Sequence, residues 1–306
     1  MKLLFAIVVY EGVESFLDKC LASICHQNDD QFDLLVLNDG CKVSDFTEVS
    51  KKYALQLVDV SESGLTPAQI RGKAFEFALQ HGYEGIVFGD ADDYFSENRI
   101  SVVQKHLPFC DFMFNELSTC DVNDQLIEER VLSHLGILDK VSRLDELLDC
   151  NVVGMSNSAF NLCKIGKIEL PFPPKIYAVD WWIASLLVLN GMVGTFEADA
   201  ITYYRQGDHN LAGMRRQLDV DKLFFGASVK KAHYANLVDY LKNRNDNRVK
   251  IVENRLNEIN QLEKELSNAS FVEKYLNTVN AHHSALYKGW WSDIMGLEDM
   301  KIYELL

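Results

Sequence analysis

The sequence predicts an α/β fold, a mostly parallel central sheet with flanking helices, followed by a C-terminal helical extension. Three observations predict it. Over the first 120 residues, short apolar runs alternate with amphipathic stretches, the rhythm of parallel strands covered on both faces. The strand candidates run into turn or acidic residues, at the end where open α/β sheets collect their ligands. From about Arg215 the pattern becomes helical and polar, with Gly226 the one glycine before Gly289.

Residues 3–9 form the first strand, because seven apolar residues in a row suit a strand buried on both faces. One lysine precedes this run and no small-residue cleavage site follows, so it reads as a strand rather than a signal peptide. A helix is expected over 14–27, a strand over 34–37, a helix over 43–53 and a strand over 55–60. Thr66 then caps a helix: Pro67 takes its first position and Gln69 stands three residues after the cap. Gly82 closes that helix, and 85–89 forms a fourth strand leading into Asp90. Further on, 111–117 predicts a strand, 139–150 a helix and 170–174 a loop. A helix over 181–190 ends at Gly191, and 201–205 is again a strand. Apolar residues at 251, 252, 256, 259, 262 and 266 draw one stripe of an amphipathic helix. A boundary is expected near 214, giving a sheet domain over 1–214 and a helical extension over 215–306.

Composition narrows the function. The chain has 306 residues, 48% hydrophobic and 25% charged, the profile of a soluble globular protein. Its net charge is −15, of which residues 1–230 carry −14 and residues 231–306 carry −1. That balance excludes nucleic acid as a partner, since a phosphate backbone demands a basic face. No apolar stretch reaches the roughly 20 residues that span a bilayer. Seven scattered cysteines without a Cys-x-x-Cys pair read as free thiols. The expected location is therefore cytoplasmic, with peripheral attachment at the inner face of the membrane as the second choice.

Three features could carry chemistry. In Phe88-Gly89-Asp90-Ala91-Asp92-Asp93-Tyr94, three carboxylates follow an apolar strand directly. Like charges this close repel, and a hard divalent cation such as magnesium or manganese would relieve them. The alternative is an exposed acidic turn that caps the helix after Ser96. In Asn38-Asp39-Gly40, Asp39 either accepts hydrogen bonds from a nucleoside or merely sits in an Asp-Gly turn. Arg71, in the first turn of the Pro67 helix, is disfavoured there by the helix dipole, which hints at an anionic ligand. In Ala178-Val179-Asp180-Trp181-Trp182, Asp180 is either a helix cap or a general base. The two tryptophans either flank an acceptor or pack in the core.

Taken in order, these segments together with Tyr204-Arg205-Gln206 resemble the family-two inverting glycosyltransferases of the GT-A fold over roughly residues 1–213. The resemblance implies transfer of a sugar from a nucleotide-diphosphate donor, UDP-sugar favoured, to a saccharide or lipid-linked saccharide acceptor in bacterial polysaccharide or glycan synthesis. It implies Mn2+ or Mg2+ as cofactor. By position it implies nucleoside and donor contacts from Val9, Tyr10, Glu11, Asp39 and Arg71. It matches the family's Asp-x-Asp motif to Asp90-Ala91-Asp92, with Asp90 by the ribose and Asp92 on the metal. Asp180 matches the catalytic base, with Val179 where a glutamate is usual. His209 is a second metal-ligand candidate, although Gly207 occupies the usual histidine position directly after Gln206. Trp181, Trp182, Tyr204 and Arg205 are candidates for acceptor contacts.

The sequence also speaks against rivals. A nucleotidyltransferase needs a glycine- and arginine-rich loop after the first strand, which Tyr10-Glu11-Gly12-Val13 lacks. A dehydrogenase needs Gly-x-Gly-x-x-Gly after a strand, and none is present. A non-catalytic nucleotide-sugar-binding or scaffolding protein on the same fold is the remaining alternative. The C-terminal helices, with Tyr287 and Trp290-Trp291, are expected to mediate homo-oligomerisation or to wall the acceptor cleft, with membrane docking third.

Overall fold

The computed structural model describes residues 1–42, 46–207, 210, 212–214 and 217–302. These fall into two compact units. The first comprises Met1–Leu144, Val153–Pro174 and Val179–Asn210, and the second Asp145–Val152, Lys175–Ala178 and Leu211–Leu306.

The first unit is built on a mixed sheet. In chain order its elements are β1 (Leu3–Tyr10), α1 (Glu14–Cys25), β2 (Phe32–Asp39), α2 (Thr47–Lys52), β3 (Leu55–Asp59), α3 (Pro67–Gln80) and β4 (Gly85–Asp90). There follow β5 (Tyr94–Phe95), α4 (Arg99–His106), β6 (Phe112–Cys120), β7 (Leu126–Glu128), α5 (Val131–His134) and β8 (Lys140–Val141). The unit ends with β9 (Ser158–Asn161), α6 (Leu162–Ile165), α7 (Val179–Leu189) and β10 (Gly194–Arg205). Strands run in the order β3-β2-β1-β4-β9-β6-β10-β5, with β7 beside β6 and β8 beside β10. The β3-β2-β1-β4 half is parallel throughout, and β9 enters antiparallel between β4 and β6. Strand β1 is covered on both faces: Leu3 through Val9 are all buried, as its unbroken apolar run requires.

Register places the chemistry. Val8 pairs with Asp90, Val9 with Asn38 and Tyr10 with Asp39, so β2, β1 and β4 all end at one edge of the sheet. The turn after β2 uses Gly40 at φ +88, where a side chain would be strained. Helix α3 starts as expected: Gln69 N–H donates to Thr66 Oγ1 at 3.4 Å and Thr66 N–H donates to Gln69 Oε1 at 3.0 Å. Gly89, one residue before the acidic turn, has no room for a side chain. A Cβ there would lie 2.5 Å from the Phe95 ring and 3.0 Å from the Phe5 ring. Gly89→Ala is therefore expected to destabilise the protein by about 1–3 kcal/mol through overpacking, read as a lower urea midpoint with an unchanged slope.

Two expectations change. Residues 139–150 do not form a helix: Lys140–Val141 pairs with β10 and only a 3-10 turn at Leu144–Glu146 follows. Their apolar positions are helix-like, but sheet pairing and the bridge from Asn151 to Trp290 claim the backbone first. The strand expected at 201–205 begins earlier, at Gly194, and a bulge between Glu197 and Ile201 breaks its apolar alternation. The helix expected over 43–53 is observed at Thr47–Lys52; residues 43–45 lie outside the described set.

The second unit is helical, with α8 (Val220–Asn243), α9 (Val249–Glu265), α10 (Ala269–Ala281), α11 (His283–Leu286) and α12 (Leu297–Ile302). Val252, Ile259, Leu262 and Leu266 are the buried stripe, whereas Ile251 is 51% exposed and falls beside it. Tyr234 donates to the Leu148 carbonyl at 2.8 Å and Lys230 to the Ile294 carbonyl at 2.6 Å. Arg255 bridges Asp149 at 2.9 Å and Glu258 at 2.8 Å. No described helix is long and apolar enough to cross a membrane, and none of the seven cysteines is in a disulfide.

Candidate active site

The acidic turn is not the exposed cap that composition alone allows. Asp92 is 7% exposed and Asp93 is fully buried, and α4 begins at Arg99 behind Asn98 instead. The turn closes with Asp93 N–H donating to the Asp90 carbonyl at 3.0 Å. Burial and the Asp92 and Asp90 charges hold Asp93 well above the ordinary carboxylate range, against hydrogen bonds from Ser156 and the Arg205 N–H. Asp90 is also raised by burial, with Arg71 opposing and Asp92 reinforcing the shift. Arg71 Nη2 meets Asp90 Oδ1 at 2.7 Å, so the arginine at the start of α3 is tied to the turn. Tyr10 is pushed upward by burial first and then by the charges of Asp92, Asp90 and Asp93.

Cations hold this charge from behind. Arg99, fully buried, donates through Nη2 to the Phe88 carbonyl at 2.5 Å and lies 4.4 Å from the Phe95 ring centre. Burial lowers its pKa to about 9, while Asp93 acts in the opposite direction. Arg205, 1% exposed, donates from its main chain to Asp93 Oδ1 at 2.9 Å and from its side chain to the Asp92 carbonyl and to Asp124.

Asp180 joins the same edge of the sheet. It stands inside the first turn of α7 rather than before the helix. Oδ1 accepts from Trp181 N–H at 2.7 Å and Oδ2 from Met155 N–H at 3.3 Å. Burial pushes its pKa up to about 6, and the Asp90 charge adds to the rise. The next residue, Ser156, accepts from Asp90 N–H at 3.1 Å through its hydroxyl. One dipeptide, Met155-Ser156, thus holds the Asp180 carboxylate and the main chain of Asp90. It lies in an irregular stretch with no motif, and nothing in the sequence marks it.

The other candidates sort by exposure. Glu11 is exposed and Asp39 half-buried at the strand ends, whereas Val9 and Ala91 are buried in the sheet and the turn. Trp181 and Trp182 are 0% and 1% exposed, and Trp182 Nε1 donates to the Pro171 carbonyl at 2.7 Å. Both side chains are buried, as the core alternative has it. Arg205 likewise offers no surface to an acceptor. Tyr204 is half-buried, its hydroxyl 3.4 Å from Asn210 Nδ2. His209 lies outside the described residues.

The donor set suits a hard cation. Asp90 and Asp92 offer carboxylate oxygen alone, the preference of magnesium and manganese. Among the described residues no three His, Cys, Asp or Glu side chains are grouped so as to hold a metal ion.

No protein-family model matches the chain, and no curated protein matches it. Solved structures do. S. aureus TarS 1-349 in complex with UDP-GlcNAc superposes with a TM-score of 0.53 at 14% identity, covering 96% of this chain and 88% of that one. A longer S. aureus TarS matches with a TM-score of 0.53 at 16% identity, over 78% of this chain; the match spans 40% of that protein's length. GalNAc-T7 with UDP, GalNAc and Mn2+ matches with a TM-score of 0.51 at 10% identity, over 76% of this chain and 47% of that one. At these identities the likeness concerns the fold, which is the GT-A glycosyltransferase fold.

Proposed function

We propose that this chain is an inverting glycosyltransferase that moves a sugar from a nucleotide-diphosphate donor, UDP-sugar favoured, to a hydroxyl on a saccharide or lipid-linked saccharide acceptor. One observation carries the reading. At the carboxyl edge of a GT-A sheet, a buried acidic turn with an arginine partner lies beside a second, separately held carboxylate with a pKa near 6. Solved proteins of this fold bind UDP-GlcNAc, or UDP with Mn2+, which supports a nucleotide sugar as donor.

In this reading Tyr10, Glu11 and Asp39, at the ends of β1 and β2, line the nucleoside side of the donor. Arg71 orients Asp90, which faces the ribose. Asp92, with Asp90 behind it, would hold Mn2+ or Mg2+. Such an ion supplies Lewis-acid stabilisation of charge on the departing diphosphate. Asp180 takes the proton from the acceptor hydroxyl as its oxygen attacks the anomeric carbon from the face opposite the diphosphate. A single displacement inverts that carbon and needs no second carboxylate nucleophile, in contrast to retaining hydrolysis. A pKa near 6 suits the task, since the base is ionised at neutral pH yet basic enough to accept a proton.

The direct test is thermal. UDP with Mn2+ is expected to raise the melting temperature by ~5 °C at a hundredfold excess over its Kd, and UDP with chelator by much less. Equal shifts in the two conditions would remove the metal from the reading, and no shift with any nucleoside diphosphate would remove the donor.

A further inference from the structure

We infer that Arg205 is the positioning residue of the acidic turn, fixing the peptide between Asp92 and Asp93 so that the Asp92 carboxylate is preset for its ligand. The inference rests on the glycosyl-transfer reading for its consequence in catalysis, but its geometry stands by itself. Both polar groups of that peptide are fixed. Its carbonyl accepts from Arg205 Nη1, and its N–H donates to the Asp90 carbonyl at 3.0 Å. The Arg205 main-chain N–H holds Asp93 Oδ1 at 2.9 Å from the other side. The Asp92 carboxylate itself accepts from the Tyr10 hydroxyl.

The guanidinium is itself held from two directions. Nη2 donates to Asp124 Oδ1, and Asp124 Oδ2 pairs with Lys19 at 2.9 Å. Asp124 stands at the tip of the β6–β7 hairpin with φ +64, in the left-handed region that aspartate tolerates better than most residues. The tip is locked, with Asp121 Oδ1 accepting from Asn123 N–H at 2.8 Å and Gln125 N–H at 2.9 Å. The Phe16 ring centre lies 4.5 Å from the Arg205 guanidinium and the Tyr94 ring centre 5.5 Å away. A buried charge is costly unless its partners are well placed, and here the partners are the turn and the hairpin tip. Only a planar fork can serve the Asp92 carbonyl and Asp124 at once; an ammonium is a single point of charge.

Three variants and two readouts test this. Arg205→Met removes the fork, Arg205→Lys keeps the charge, and Asp124→Gly releases the outer anchor while preserving the left-handed backbone. The first readout is amide exchange of the peptide spanning residues 90–94, with residues 3–9 as the internal reference. The second is steady-state transfer per folded molecule. Exchange at 90–94 is expected to quicken in all three variants while 3–9 stays protected. A misplacement near 1 Å costs on the order of 10²-fold, so kcat is expected to fall ~10²-fold in Arg205→Met and ~10-fold in Arg205→Lys, with donor KM within about threefold. If Arg205→Met fails to fold, Asp124→Gly decides, with a kcat loss of about threefold to tenfold. Wild-type exchange at 90–94 together with wild-type kcat in the folded variants overturns the inference while leaving glycosyl transfer intact. Quickened exchange in a protein that turns over no nucleotide sugar sustains the clamp and sinks the transfer reading instead.

Discussion

Asp180→Asn is expected to lower sugar transfer by about 10²–10⁴-fold, the range for losing a positioned general base, while leaving UDP binding nearly unchanged. The asparagine keeps an acceptor for Trp181 N–H, now met at 2.7 Å, so α7 should start where it does. Any loss of helix capping is worth only ~1 kcal/mol, far short of the expected loss in rate. The wild-type pH profile gives a second check. Burial raises Asp180 to about 6, so the carboxylate is progressively protonated below that pH. A protonated base cannot take the acceptor's proton; kcat should therefore fall on the acid side, with a midpoint near 6 in the absence of other titrations. Asp180→Asn should abolish that limb together with the rate. Normal turnover per folded molecule, paired with a large drop in melting temperature, would return Asp180 to the role of a structural cap.

The parts of this site that depend on local sequence were legible, and those that depend on distant pairing were not. The run at 3–9, the capping box at Thr66 and the glycines at 82 and 191 specify elements through nearest neighbours, and β1, α3 and α7 follow. Asp90, Asp92 and Asp180 stood out as candidates because charge directly after an apolar strand, or at a helix start, is locally anomalous. Met155-Ser156 was not visible. Its contribution is one main-chain N–H and one hydroxyl, and these acquire meaning only when β9 enters antiparallel beside β4. Arg205 stood out as part of a motif, but its burial did not. Its burial depends on a hairpin tip at Asp124, 81 residues away, which no periodicity announces. The tryptophans at 181 and 182 left two alternatives open. Adjacent aromatics suggest a sugar platform, but α7 is buried around most of its circumference and takes both rings inward. Residues 139–150 show the same limit for secondary structure, where a helical spacing yields to pairing with β10.

Asp92→Asn is expected to abolish the part of nucleotide stabilisation that depends on Mn2+ without destabilising the free protein. The two halves of this expectation come from one feature, the crowding of carboxylates in the turn. Asp92 is among the charges that push Asp90 and Asp93 upward. Removing its charge relaxes both, and the shape of the side chain is conserved. The melting temperature of the free variant should therefore equal or exceed that of the wild type, as expected where a site holds like charges together for function at the expense of stability. The bound state behaves oppositely. An amide oxygen is a poor substitute for a carboxylate toward a hard divalent ion. The wild-type gain from ligand, about 2.7 kcal/mol at a hundredfold excess over Kd, should shrink to what UDP alone provides with chelator. Differential scanning fluorimetry of both proteins, with UDP and either Mn2+ or chelator, measures all four states in one plate. A variant that melts lower on its own and keeps the full Mn2+-dependent shift would mean that Asp92 braces the turn and that the ion, if bound, is held elsewhere. Loss of the shift with an undiminished melting temperature in the free protein would place the carboxylate of Asp92 in direct service of the ligand.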